Sequence, residues 1–182
     1  MALQEFIGQV QTIGIARNNR YEVSINASNA GVIIKADEKE SLFVKSVDLP
    51  TLSLMTWEHN IYGEFRSAPY QKRYDPFSIT FYVDQKFDIK NKFDIWMNSV
   101  FDVETKVSGY YENYAKNNNI EVLVYNVDEE SPKYEVFFHE VYPKSVQQIQ
   151  LDAARRDAMT LTVIFNYKWF DVKHNTGVPE PE

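Results

Sequence analysis

Three histidines, His59, His139 and His174, are the imidazoles available to this chain, and no two stand at metal-ligand spacing. His139-Glu140 lacks the second histidine of a zinc-protease helix. Cysteine is absent, which removes thiolate nucleophiles, disulfides and Cys-based zinc sites. A serine or threonine becomes a nucleophile only beside an oriented base, and no nucleophile-elbow string occurs. Gly8, Gly14, Gly31, Gly63, Gly109 and Gly177 are scattered, so no phosphate-cradling loop is visible. Carboxylates cluster at Asp37, Glu38 and Glu40 and again at Asp128, Glu129 and Glu130. Both clusters fall in turn-forming composition, where solvated loop charge is a simpler reading than an acid/base pair or a calcium site. Arg155-Arg156 is too short a basic run to suggest nucleic acid. The sequence thus offers no catalytic, cofactor-binding or metal-binding constellation, and neither an enzyme nor a cofactor is expected.

The elements that would carry any other function are mostly strands. Ala2–Ile13 sets Leu3, Phe6, Ile7, Val10 and Ile13 on one helical stripe, a short N-terminal helix. Tyr21, Val23 and Ile25 alternate with polar residues as a half-buried strand, and Val32–Lys35 continues it as a hairpin. Leu42–Leu49 reads as a strand stopped by Pro50. Across Thr51–Asp75 the apolar residues follow no period, so a long loop flanked by strand segments is expected. Phe77, Ile79, Phe81 and Val83 alternate strictly, and Phe93, Trp96, Met97, Val100 and Phe101 mark a helix over 88–101. Asp102–Asn119 is a polar connection. Ile120–Val127 and Tyr134–Tyr142 flank a turn as a hairpin, Pro143 interrupts, and Val146–Leu151 gives another short strand. Met159–Phe170 closes the chain as one strand with Leu161, Val163, Phe165, Tyr167 and Trp169 on one face.

This order, with no βαβ alternation, predicts a mainly β fold: an antiparallel sandwich or barrel of about seven to eight strands with one packed helix. Residues 1–170 form a single domain and 171–182 a flexible tail carrying Pro179 and Pro181. With 12 Tyr, 12 Phe and 3 Trp in 182 residues, the chain can fill a sizeable core and is not disordered. Lys plus Arg is 19 against 26 Asp plus Glu, a formal charge of -7 that disfavours gripping nucleic acid. No apolar run reaches the roughly 20 residues of a membrane span, no signal-peptide pattern opens the chain, and the missing cysteines fit the cytosol. A small-ligand or carbohydrate-binding β module stays open as a function of another class, with Tyr110, Tyr111 and Tyr114 as its candidate lining.

Four strings, in order and spanning nearly the whole chain, resemble the tail-tube protein family of contractile-tailed phages. They are Arg17-Asn-Asn-Arg-Tyr-Glu-Val-Ser-Ile25 after a short helix; Val47-Asp-Leu-Pro50; Tyr74-Asp-Pro-Phe-Ser-Ile-Thr-Phe-Tyr-Val-Asp84 with Phe93-Asp-Ile-Trp-Met-Asn-Ser-Val100; and Phe138-His-Glu-Val-Tyr-Pro-Lys-Ser-Val146 with the closing strand to Phe170. Asp102–Asn119 and Arg17–Ile25 also look like the smaller tube initiators that join tube to baseplate. Injection-machine tubes of the type VI secretion kind share the fold and stay open as an alternative.

The resemblance implies a structural virion protein, made in the host cytoplasm, whose homohexameric rings stack into the inner tail tube of the virion. Each copy would give four strands to a continuous inner barrel. About 24 strands give a circumference of about 150 Å and a lumen of roughly 35 Å, enough to pass duplex DNA without gripping it. An acidic or neutral lumen wall would keep the ejected DNA from sticking. The implied partners are the chain itself, the tail sheath, the baseplate and the tape-measure protein, with no membrane. Leu52, Leu54, Met55, Trp57, Ile61 and Tyr62, awkward on a free monomer, are the implied contacts with an adjacent subunit.

Overall fold

The computed structural model describes residues 16–28, 31–35, 43–59, 63, 65–102, 104–126, 131–152, 154 and 156–174. In chain order the elements are β1 (Tyr21–Ala27), β2 (Val32–Ile34), β3 (Val44–Val47), β4 (Leu52–His59), β5 (Arg66–Tyr74), β6 (Phe77–Tyr82), α1 (Asp88–Val100), α2 (Tyr111–Tyr114), β7 (Asn119–Tyr125), β8 (Pro132–His139), β9 (Tyr142–Val146), β10 (Thr160–Asn166) and β11 (Trp169–His174). The expected N-terminal helix, the clusters at 37–40 and 128–130, and candidate contacts Ile61 and Tyr62 lie outside the described residues. Mainly antiparallel β with one main helix is therefore right. The count of seven to eight strands is low, since eleven are described.

Two sheets enclose the core. One has the order β11-β8-β7-β1-β2 and the other β3-β6-β10-β9. Alternation does the work: Val23, Ile25, Ile120, Val122, Val136 and Phe138 point inward from the first sheet, and Phe77, Ile79, Phe81, Leu161, Val163 and Phe165 from the second. Phe77 and Phe138 stack across the gap with centroids 4.0 Å apart. Helix α1 adds Ile89, Phe93 and Trp96, all buried, with Phe93 5.1 Å from Phe81 and Trp96 5.9 Å from Phe165. Its start is fixed by Asp84, whose carboxylate accepts the N–H groups of Asp88 and Ile89 at 3.2 Å. Burial pushes the Asp84 carboxyl up, but four backbone N–H donors outweigh it and hold its pKa below the ordinary value.

Several sequence expectations need correction. Thr51–Asp75 is not a loop: β4 and β5 pair antiparallel from Leu52↔Tyr74 to His59↔Arg66. The period was invisible because nearly every residue of this hairpin is exposed, so neither face is selected to be apolar. Met159–Phe170 is not one strand. The chain leaves β10 at Asn166, turns through Tyr167-Lys168, and enters the other sheet as β11, pairing with β8. The alternation slips by one at that corner, so Phe170 faces the core and Trp169 faces out, stacked on His139 at 5.1 Å. Strand β11 runs to His174 and so occupies the first part of the stretch read as tail. Likewise Tyr134–Tyr142 breaks at Glu140, whose φ is 53°, and β9 starts beyond it. Pro143 lies inside β9, at a register shift opposite Phe165, and 147–151 is not a strand. The shift leaves that position without a required N–H donor.

Candidate assembly surfaces

The β4–β5 hairpin prolongs the β3–β6 pair beyond the sandwich. Asp48 N donates to Ser78 O at 3.0 Å and Asp75 N to Thr51 O at 3.5 Å, carrying the ladder past Pro50 and Pro76. Tyr74 anchors its base on Phe170 and Tyr167 at 5.7 and 5.8 Å. The register places Leu52, Leu54, Lys72 and Tyr74 on one face and Met55, Trp57, Arg66, Gln71 and Arg73 on the other. A register shift after Met55 turns the Tyr70 hydroxyl toward the Met55 sulfur, 3.9 Å away, on that second face. Four of the predicted contact residues are thus together and exposed: Leu52 48%, Leu54 56%, Met55 38% and Trp57 52%.

The two sheets differ in what they show outside. On the four-stranded sheet the outward positions are Ser46, Ser78, Thr80, Tyr142, Ser145, Thr160, Thr162 and Asn166, with Ile164 and Tyr82 among them and Lys144 exposed at the β9 register shift. Thr80 and Thr162 hydroxyls meet at 3.0 Å. Asp48 reaches its margin and accepts the Ser78 hydroxyl at 2.5 Å, and Lys45 lies over the Tyr82 ring at 5.7 Å. On the five-stranded sheet the outward positions include Glu22, Glu121, Glu135 and Asp171 with Lys133 and Lys173. The hydroxyl face is foreshadowed in the Ser/Thr half of two alternating runs, Ser78 and Thr80 in one and Thr160 and Thr162 in the other.

The residues that suggested chemistry are engaged in structure. His139 Nε2 lies 2.9 Å from Asp171 Oδ2, a pair that ties β8 to β11. Among the described residues, no three His, Asp or Glu side chains could hold a metal ion. The Tyr111 hydroxyl donates to Glu140, and Tyr114 meets Tyr111 and Tyr142 edge-on, each at 5.6 Å. Burial first and the Glu140 hydrogen bond second push the Tyr111 phenol well above its ordinary range. The Tyr111 hydroxyl and Lys168 together hold Glu140 below its own. These rings seat α2 at the sheet corner, while Tyr110 is 81% exposed. A concavity of about 550 Å³ opens instead beside Tyr21, Lys45 and Val124.

Comparison with known proteins places this architecture. No curated protein sequence matches the chain. Among solved structures it is similar to a chain of the anti-feeding prophage baseplate, at 14% identity over 89% of this chain and 97% of that one, with a TM-score of 0.66. It is also similar to a chain of the sheath–tube complex of the extracellular contractile injection system PVC, at 15% identity over 92% and 97%, TM-score 0.63. Hcp1 from Salmonella typhimurium is more distant, at 9% identity over 87% and 89%, TM-score 0.50. At such identities these likenesses speak for the fold. Residues 16–173 match the phage tail tube proteins, and over that span, with this two-sheet core and projecting hairpin, the chain belongs to that structural, non-enzymatic family.

Proposed function

We propose that this chain is a subunit of a phage tail tube, closing into hexameric rings whose inner wall is the four-stranded sheet and whose stacks form the conduit for ejected DNA. The observation that carries this reading is the chemistry of that sheet's outer face. β3 and β9 are its edge strands. Pairing β3 of one copy with β9 of the next is a head-to-tail contact, so the sheet continues round a ring and its edges disappear. The wall so formed presents hydroxyl and amide groups along its strands, with Asp48 and Lys45 at the margin. Among the described residues such a wall carries only the separate cations Lys45 and Lys144, too sparse an array to release many counterions from a polyanion, so duplex DNA would pass without adhesion. Of the acidic or neutral wall expected, this reading takes the neutral form, with Glu22, Glu121, Glu135 and Asp171 on the other sheet. That face is then turned outward, toward the sheath; baseplate and tape-measure proteins meet the ends of the stack and its bore.

The absence of cysteine makes a clean test. Thr162→Cys and Glu135→Cys are each assembled and treated with a small maleimide and with a polymer-linked maleimide wider than the bore. In tubes, Thr162→Cys should react only with the small reagent, whereas Glu135→Cys should react with both. Equal labelling at both positions refutes the wall assignment. Negative-stain images showing only monomers at high concentration refute the ring.

A further inference from the structure

The sandwich is open where β1 begins and β7 finishes, and the concavity of about 550 Å³ lies in that opening. Its walls belong to different sheets, and the Tyr21 hydroxyl of β1 ties them by donating to Lys45 O of β3 at 2.6 Å. Val47, Leu49, Val122 and Val124 make the floor, with Leu49 49% exposed. Arg20 and Lys45 stand on the rim. Arg20 Nη1 donates to Asn126 O at 2.8 Å, and Lys45 lies over the Tyr82 ring. Among the described residues that line the concavity, none is a carboxylate. An apolar floor under two cations suits an apolar occupant that carries negative charge.

The sheet register delivers such a segment to this place. His174 pairs with Tyr134, Tyr134 with Val124, and Val124 with Tyr21, so the four form one row across the five-stranded sheet. The chain leaves β11 at His174, in the row of two residues that line the concavity. Three strand spacings separate β11 from β1, roughly 14 Å. Residues 175–182, Asn-Thr-Gly-Val-Pro-Glu-Pro-Glu, lie outside the described residues and can span about 26 Å when extended. Val178, Pro179 and Pro181 are apolar, and Glu180 and Glu182 bring two carboxylates without a cation. Proline has no N–H to strand in an apolar site, and its fixed φ lowers the cost of ordering. Residues 1–15, also outside the described residues, offer one carboxylate, Glu5, on a helical stripe. A helix about 10 Å across would fill the concavity with a single turn, whereas extended chain can lie along it.

We propose that residues 175–182 fold back within their own chain and lie extended in this concavity, Val178 and Pro179 on the valine and Leu49 floor, Glu180 and Glu182 against Lys45 and Arg20. The contact closes the open end of the sandwich and covers Leu49. It does not rest on the ring, because walls and occupant come from one chain.

With no native cysteine, one introduced pair reports on the contact without background. Leu49→Cys with Val178→Cys is oxidised at high dilution beside two other pairs, Ile95→Cys with Val178→Cys and Leu49→Cys with Val10→Cys. Ile95 is 51% exposed on α1. The first pair should close within one chain about tenfold faster than either of the others, since docking raises the effective concentration of residue 178 at residue 49. Adding Lys45→Glu should slow that closure about threefold, the worth of an exposed ion pair, and adding Glu180→Lys as well should restore it. Equal rates at positions 49 and 95 overturn the docking. Faster closure from position 10 seats residues 1–15 in the concavity, and a link formed only between chains gives the site to a second copy; either overturns the proposal. A closure indifferent to Lys45→Glu overturns the charge pairing on which the choice of occupant stands.

Discussion

The sandwich core and the β4–β5 hairpin are built from the same kinds of residue and treat them oppositely. In the core, Phe77, Phe81, Phe93, Trp96, Phe138 and Phe165 are essentially sealed from solvent. In the hairpin, Leu54, Met55, Trp57 and Tyr70 are 38% to 59% exposed, though their backbone is paired along its length with one register shift after Met55. Backbone pairing and a few side-chain contacts, Tyr70 with Met55 and Arg73 with Asp75, keep the hairpin in shape without burying its apolar side chains. A long ladder with two solvated faces is a hazard in a monomer, which is what the proposed ring would relieve.

The largest effect that would sharpen this contrast is expected from Phe138→Ala. The side chain is fully buried against Phe77, and its removal should cost about 3–5 kcal/mol in urea unfolding. Replacing Trp57 and Met55 together by Ser should change monomer stability by only about 0.5 kcal/mol but abolish tubes in negative stain. Unimpaired tubes would break the comparison. At intermediate size, Asp84→Ala should lower stability by about 1 kcal/mol through loss of the α1 cap. Because the folded pKa of Asp84 lies below the ordinary 3.8, its contribution is complete above that value. It is lost as pH falls through the folded pKa, so unfolding of Asp84→Asn followed against pH should show a flatter acid limb.

A smaller effect concerns Tyr167. Burial first, then Asp75 and Tyr74, push its phenol to about 12, and its buried hydroxyl has no protein hydrogen-bond partner among the described residues. The unfolded chain therefore loses this proton before the folded one, and stability should fall as pH rises from about 10 toward 12. Tyr167→Phe should lessen that slope, Tyr111 supplying the rest, and leave neutral-pH stability unchanged or raised by about 1 kcal/mol. Least of all, Lys90→Ala breaks the exposed i,i+4 pair with Asp94 and should change urea stability by about 0.3 kcal/mol.

What the sequence revealed follows the same division. Wherever one face is buried, the pattern was readable: the Phe77–Val83 alternation, the 88–101 stripe and the β7–β8 hairpin all stand nearly as expected. The hairpin strands were not, since Leu52 and Leu54 point one way and Met55 and Trp57 the other, and the apolar residues cancel any period. The two sheet corners were also hidden. Glu140 and the Tyr167-Lys168 step change sheets without a glycine or proline to announce it, and Glu140 is held there by Tyr111 and Lys168. Of the candidate contacts, the apolar members could be named from composition alone. That Arg66 and Arg73 share a face with Trp57 could not, because only the register shows it.

The continuity between β3–β6 and β4–β5 has a mechanical meaning. A load applied along the hairpin enters its two strands lengthwise and passes Pro50 and Pro76 into the four-stranded sheet. Pulled in that direction, the ladder bonds of β6 with β3 and β10 share the force side by side and do not open one after another like a zipper. Anchoring the hairpin in the strands of the four-stranded sheet lets that whole sheet bear the pull.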